Sequence, residues 1–400
     1  MPQRPYISSH PWISFGADLS RVDSRTWILL GESTSKCEHI SRALIRPEDA
    51  RELLQVYLVR GAVATTAIEG NTLSEEEARL LVDQGRRLPA SKEYLGKEIE
   101  NIVEALNEIK VAMIDDGSHE DLTVAKVKQY NRQVLRGLEL EAGAIPGEIR
   151  RHSVTVGAYR GAPWQDCAFL LERLCDWLGS DEFSPPDTET QRPLSVIKAV
   201  IAHLYVAWIH PFGDGNGRTA RLIETHLLLA AGFPMPTAQL LSNHYNETRS
   251  EYYRQLELAS KRSDPIPFIQ YAIEGFVDQL RMQLDRVWGM QYLDRWEQFI
   301  YESFGEVTTE SSRRRRRLVK DLSKVSLDLT NAGVAPTTVP REQIRRLSPE
   351  LAEMFATKTD RTLSRDINAL LDMGLITRQP GGYLPNSDVI LGLQAARRSS

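Results

Sequence analysis

The sequence predicts a mainly α-helical protein, and three observations carry that prediction. Apolar residues recur at helical spacing, as in Leu53, Leu54, Tyr57, Leu58 and Ile68, or Ile99, Ile102, Val103, Leu106 and Ile109. Helix-starting and helix-ending residues stand where those stretches need them: Pro47-Glu48-Asp49 before one, Gly70 after it, and Gly232 and Pro234 behind Ala231. Alternation of the strand type is confined to Gly147–Gly157 and to a short region after Ile376.

In chain order, residues 1–118 read as an N-terminal helical region. An arm leads to a helix that ends at Glu69-Gly70. Ser74-Glu75-Glu76-Glu77 then opens another helix as a capping box, and a third spans Tyr94 to Met113. Asp115-Asp116-Gly117-Ser118 reads as a linker. Residues 119–285 form a second, mostly helical unit. Its centre is the run Val196–Ile209, apolar nearly all round and therefore buried, followed by a helix over Arg218–Ala231. Residues 290–400 form a third unit.

With 400 residues, 42% of them hydrophobic, the chain can build two or three cores. The N-terminus lacks the apolar segment of a signal peptide and no run of about eighteen apolar residues is visible, so the expectation is a cytoplasmic protein that contacts no membrane. Cys37, Cys167 and Cys175 form no CxxC pair and read as thiols of a reducing compartment; the eight scattered histidines suggest no zinc site. A net charge of −5 argues against non-specific nucleic-acid binding by the chain as a whole.

The stretch with the most chemistry is His210-Pro211-Phe212-Gly213-Asp214-Gly215-Asn216-Gly217-Arg218-Thr219-Ala220-Arg221, a loop feeding a helix N-terminus. Unpaired N–H groups and the positive end of the helix dipole make such a terminus an anion site, most readily for phosphate. Gly215 and Gly217 let the backbone approach the anion, Asn216 offers a side-chain donor, and Arg218 and Arg221 can face one ligand from successive turns. A carboxylate here would repel phosphate unless a cation lay between them, so Asp214 points to Mg²⁺. His210 supplies a base that titrates near neutrality. These roles add up to metal-assisted phosphoryl or nucleotidyl transfer.

The stretch resembles the signature of the Fic family, His-Pro-Phe-x-Asp/Glu-Gly-Asn-Gly/Lys-Arg-x-x-Arg, at every fixed position. The resemblance implies a protein adenylyltransferase that moves AMP from ATP to a Ser, Thr or Tyr hydroxyl of a target protein and releases pyrophosphate. His210 would take the hydroxyl proton, and Asp214 would hold Mg²⁺. Gly215, Asn216 and Gly217 would cradle the α- and β-phosphates, Arg218 would bind the β-phosphate, and Arg221 the γ-phosphate. Phe212 would anchor the loop in the core.

A carboxylate at the C-terminal end of a helix faces a negative dipole and calls for a cationic partner, which singles out Glu69. Thr65-Thr66-Ala67-Ile68-Glu69-Gly70 resembles the family's inhibitory motif, whose glutamate pairs with the second signature arginine, here Arg221, and blocks placement of the γ-phosphate. Two other functions stay open: removal of AMP by the same site, with Glu69 positioning a water, and a DNA-binding regulator that senses nucleotide.

Gly147–Gly157 reads as a hairpin after a Pro-Gly turn and resembles the flap that holds a target peptide in the family; the usual Pro-Pro behind it is replaced by Ala162-Pro163-Trp164. Leu241-Ser242 and Tyr252-Tyr253-x-x-Leu256 resemble the helix walling the adenine pocket, although paired tyrosines on an amphipathic helix also suit a core. Near the C-terminus, the helix Thr362–Met373, a strand, a Pro-Gly-Gly turn and a second strand resemble a winged helix. Arg361, Arg365 and Arg378 suit phosphates or bases, while Asp366 and Asp372 weaken that reading in favour of protein recruitment or dimer contact. Arg313 to Arg317 read as a phosphate-contacting patch or a solvated helix face.

Overall fold

The computed structural model describes residues 4–115, 121–140, 143–157, 159–185, 187–327 and 336–391; the linker read at 115–118 lies, beyond Asp115, outside the described residues. Helices dominate, and the β-structure with assigned strands is two antiparallel hairpins among the described residues. Residues 1–42 and 46–281 pack as one compact unit, and residues 282–400 with 43–45 as a second. The N-terminal helices and the helices after residue 119 therefore share one unit.

The helices of the first unit that bear on the site are α1 (Pro47–Ile68), α2 (Glu75–Gln84), α3 (Glu93–Lys110), α4 (Val124–Val134), α5 (Thr188–Ile209), α6 (Asn216–Ala230), α7 (Leu240–Glu247), α8 (Arg249–Arg262) and α9 (Ile266–Phe304). α1 starts with Pro47 and two acids in its first turn, as a helix dipole favours, and ends as Gly70 turns at φ 107°. The capping box of α2 is formed: Ser74 accepts from the Glu77 N–H and Glu77 returns the bond to Ser74.

α5 and α6 lie at the centre. Val196, Ile197, Val200, Ile201, Leu204, Val206 and Ile209 are fully buried, which explains why the Val196–Ile209 part of α5 is apolar nearly all round; each such side chain contributes about 1.5–3 kcal/mol through burial. The stretch Glu189–Ile209 is long and apolar enough, by length and composition, to cross a membrane, but here most of it is the covered core helix. α6 begins at Asn216, two residues before the start read from the sequence, because Gly215 at φ 74° turns the chain straight into it.

The flap is shifted from its expected position. β1 (Thr155–Val156) pairs with β2 (Tyr159–Arg160), so only the last part of Gly147–Gly157 is a hairpin strand, and the chain reverses after Gly157, at φ 56°. The earlier part instead runs beside the signature loop, where Ile149 bridges Phe212 and the Arg150 N–H donates to the Pro211 carbonyl at 3.0 Å.

The second unit begins at Met282, within α9. It then runs through α10 (Glu310–Ser326), α11 (Pro349–Phe355), α12 (Asp360–Asp372) and the antiparallel pair β3 (Ile376–Gln379) and β4 (Gly382–Pro385), with Val339 bridging Tyr383 as a third strand position. Trp296, Leu318, Leu322, Leu351, Ile367 and Leu370 form its core. The arginine run is neither a solvated face nor a phosphate patch throughout. Arg314 and Arg315 close on the two oxygens of buried Asp366 at 2.7 and 2.8 Å, Arg317 pairs with Asp321 at 2.7 Å, and Arg316 lies over the Tyr301 ring.

Candidate active site

The signature loop is held from behind. Asn131 on α4, fully buried, donates to the Asp214 carbonyl at 2.9 Å and accepts from the Gly147 N–H at 2.9 Å. Asn216 bonds both the N–H and the carbonyl of Phe212, at 2.9 and 3.0 Å. The sequence offered Asn216 as a donor to an anion; in the structure its amide instead folds onto its own loop, and the backbone N–H groups of the helix start remain as the loop's other donors. Phe212 is buried, as expected of an anchor.

Both signature arginines are buried and each meets a carboxylate from the N-terminal helices. Arg221 Nη2 donates to Glu69 Oε1 at 2.5 Å and to the Thr65 carbonyl at 2.8 Å. The helix-end argument for Glu69 therefore holds, since its cationic partner is Arg221. Burial alone pushes the Glu69 carboxyl up, but Arg221, aided by Arg218 and His210, more than offsets it and holds it below the ordinary carboxylate value. A methyl group on Gly217 would fall 2.2 Å from Glu69 Oε1, so the carboxylate sits against the start of α6 and a side chain there would displace it.

Arg218 is held twice. Its Nη1 donates to Glu98 on α3, and its Nη2 to Asp214 Oδ1 at 3.0 Å. Asn71, just past the end of α1, in turn donates to Glu98 at 2.9 Å. The pairing is nevertheless incomplete: Arg218 Nε and Arg221 Nε and Nη1 are buried with no protein hydrogen-bond partner. Buried donors left open in this way are costly for a fold and mark a place where a ligand completes the set. Asp214 is more open, with its side chain 40% exposed, one oxygen accepting from Arg218 and from the Gly215 N–H.

His210 caps α5 in a left-handed conformation, φ 51° and ψ 59°, uncommon outside glycine and asparagine. Arg150 fixes that turn: its Nε donates to the His210 carbonyl at 2.7 Å, its Nη1 to the His152 carbonyl at 2.6 Å and its Nη2 to the Ala162 carbonyl at 2.5 Å. One guanidinium thus ties the His210 turn to the segments on both sides of the β1–β2 hairpin. A methyl group on Gly161 would come within 2.9 Å of His210 Cβ, so this wall is tightly fitted. Burial, then the Arg150 charge, lowers the imidazole pKa to about 4, leaving it neutral and able to accept a proton at pH 7.

His210, Glu69 and Gly217 open into one cavity of about 830 Å³. Tyr252, Tyr253 and Leu256 of α8 line it, in keeping with the motif read there. Tyr252 is oriented by a buried chain: its hydroxyl meets His203 Nε2 at 2.8 Å, His203 Nδ1 lies 3.2 Å from Glu224 Oε2, and the Tyr245 hydroxyl donates to Glu224 Oε1 at 2.9 Å. The opposite wall includes the N-terminal arm, which sequence reasoning left without a role. His10 Nε2 meets the Arg160 carbonyl at 2.9 Å, and the His10 ring packs 4.9 Å from Trp12.

Residues 121–228 match the Fic/DOC family, and His210, Asp214, Arg218 and Arg221 all lie within the matched stretch. The chain is 26% identical to protein adenylyltransferase fic-1 of Caenorhabditis elegans over 277 residues, 67% of this chain and 50% of that one. It is 31% identical to protein adenylyltransferase Fic of Drosophila melanogaster over 243 residues, 60% of this chain and 44% of that one. The chain spans about half the length of the curated relatives it matches. Among solved structures, Fic-1 (residues 134–508) from C. elegans aligns with TM-score 0.50 at 25% identity, over 66% of this chain and 71% of that one. A Fic family protein from Desulfovibrio desulfuricans shares the fold, with TM-score 0.53 at 20% identity over 90% of this chain and 93% of that one. The helical core and the signature thus belong to the Fic fold.

Proposed function

We propose that this chain transfers AMP from ATP to a hydroxyl group of a target protein, and that Glu69 restrains it. The observation that carries the reading is the convergence on one helix N-terminus of a neutral imidazole, a half-open carboxylate and two arginines with unpaired buried donors, where His210 and Gly217 open into one cavity. The neutral His210 ring takes the proton of the attacking Ser, Thr or Tyr hydroxyl as the new O–P bond forms at the α-phosphorus. The α–β bridge bond breaks and pyrophosphate leaves with the bonding pair. Arg218 and Arg221 hold the β- and γ-phosphates, and the α6 N–H groups hold the bridging region. Positioning and electrostatics supply most of the rate in such sites.

The donor set also fits Mg²⁺. Asp214, half-open and engaged by the protein through one carboxylate oxygen, would hold the ion, with phosphate oxygens and water completing its shell. Such an ion would neutralise phosphate charge beside the carboxylate.

Glu69 already holds the Nη2 of Arg221, so the γ-phosphate and Glu69 compete for one guanidinium. We read this as auto-inhibition. We also read the second unit, from its order of helices and hairpin, as a winged-helix module. The test is mass spectrometry of cognate lysate incubated with the Glu69→Gly chain, isotope-labelled ATP and Mg²⁺. An adenylyl group on a Ser, Thr or Tyr of a protein is expected; no labelled protein, together with loss of label from a pre-modified one incubated with the parent chain that keeps Glu69, would replace transfer by AMP removal.

A further inference from the structure

The second unit presents a charged face that the transfer reading does not use. On α12 the exposed residues Arg361, Arg365 and Asn368 fall at i, i+4 and i+7, on one side of the helix. Exposed Arg341 lies beside the first turn, its Nη2 donating to Ser364 at 2.7 Å, and Arg378 and Gln379 are exposed on β3 at the hairpin. Of the acids near this face, Asp366 is withdrawn, buried and closed by Arg314 and Arg315. Asp360 is paired though exposed, accepting from Arg345 at 2.6 Å, while Glu342 and Asp372 stay exposed beside the face, Asp372 at the far end of the helix. Residues 282–400 hold 18 Lys and Arg against 15 Asp and Glu, whereas the whole chain holds 49 against 54, so the positive balance is concentrated in this unit.

We propose that this face binds double-stranded DNA, with α12 in the major groove and the β3–β4 hairpin against the backbone. A 13-residue helix is roughly 20 Å long and a helix fits a groove about 12 Å wide. Arginine reads guanine and asparagine reads adenine through paired hydrogen bonds in that groove, while Arg341 and Arg378 are placed at its edges for phosphates. A protein-binding face would carry an apolar centre, and from Arg341 to Gln379 the exposed large hydrophobics are Met354 and Met373, neither within the Arg361–Asn368 stripe. The proposal is independent of the transfer reading, because none of these residues lines the cavity.

The test uses the full chain and a fluorescent 40-base-pair duplex pool with a randomised centre, followed by rounds of selection. Selected duplexes should bind at least tenfold more tightly than the starting pool, with affinity falling steeply as salt rises. Arg361→Ala with Arg365→Ala should abolish that gain, and Arg378→Ala should weaken selected and unselected duplexes alike by several-fold. Circular dichroism and adenylyl transfer should stay at the parent level in both variants. Failure to enrich any sequence, or enrichment that survives the double substitution, would overturn the proposal. So would a double substitution that splits a dimer in light scattering with no DNA bound by the parent, since the face would then be a protein interface.

Discussion

Two groups of arginines in this molecule are buried against carboxylates, and they differ in how far the pairing goes. In the second unit, Arg314 and Arg315 each reach one oxygen of Asp366, and neither guanidinium has an orphaned buried nitrogen. In the signature loop, Glu69 takes one nitrogen of Arg221, and three buried nitrogens of Arg218 and Arg221 have no protein partner. The same chemistry, guanidinium against carboxylate, makes a closed structural joint in one place and an open cradle in the other. What separates them is completeness: a saturated pair holds a fold, and an unsaturated one waits for a ligand.

The sharpest way to break the contrast is to remove the group that acts at the open cradle without holding it together. His210→Ala should lower transfer by a factor of about 10² to 10⁴, as loss of a general base does, while ATP still protects the chain against thermal unfolding. Transfer at the parent level would mean that the imidazole is only a turn residue.

The closed joint should fail in stability instead. Asp366→Ala leaves Arg314 buried without its partner and should cost about 3–5 kcal/mol in the second unit, read by chemical denaturation followed at Trp296. Transfer measured on the native fraction should not change. A loss below about 1 kcal/mol would show that the joint is no more than a surface pair.

A smaller effect concerns pH. The His210 pKa is lowered to about 4, so the base is already neutral well below pH 6.5. The Glu69 carboxyl lies below its ordinary value, so the clamp stays charged until the pH falls through that lowered value. Transfer by the Glu69→Gly chain should therefore be nearly flat from pH 5.5 to 8 where the chemical step is followed in single turnovers. A half-loss near pH 6.5 would show an imidazole that burial does not perturb.

Much of the site was legible because its chemistry is local. Twelve consecutive residues carry the base, the carboxylate and both arginines, and the helix-end dipole argument marks Glu69 only together with the likeness of Thr65–Gly70 to the inhibitory motif. Arg150, Glu98 and Asn131 were not legible. They act from distant segments, and Arg150 acts wholly on backbone carbonyls, which any well-placed long donor could reach. The flap was found but misplaced, since alternation along Gly147–Gly157 also fits a segment bridging the loop at Phe212. Asp366 carried a signal that went unused: Leu363, Asp366, Ile367 and Leu370 share one helical face, and an acid inside an apolar stripe demands a buried cation.

If Glu69 and the γ-phosphate compete for Arg221, a double-substitution cycle on transfer rate shows it directly. Glu69→Gly should raise transfer, including self-modification, at least tenfold, Arg221→Ala should lower it, and the combined variant should match Arg221→Ala alone, because both changes act through one contact. Transfer that is unchanged in Glu69→Gly, or a combined variant that regains the Glu69→Gly gain without the arginine, would contradict it.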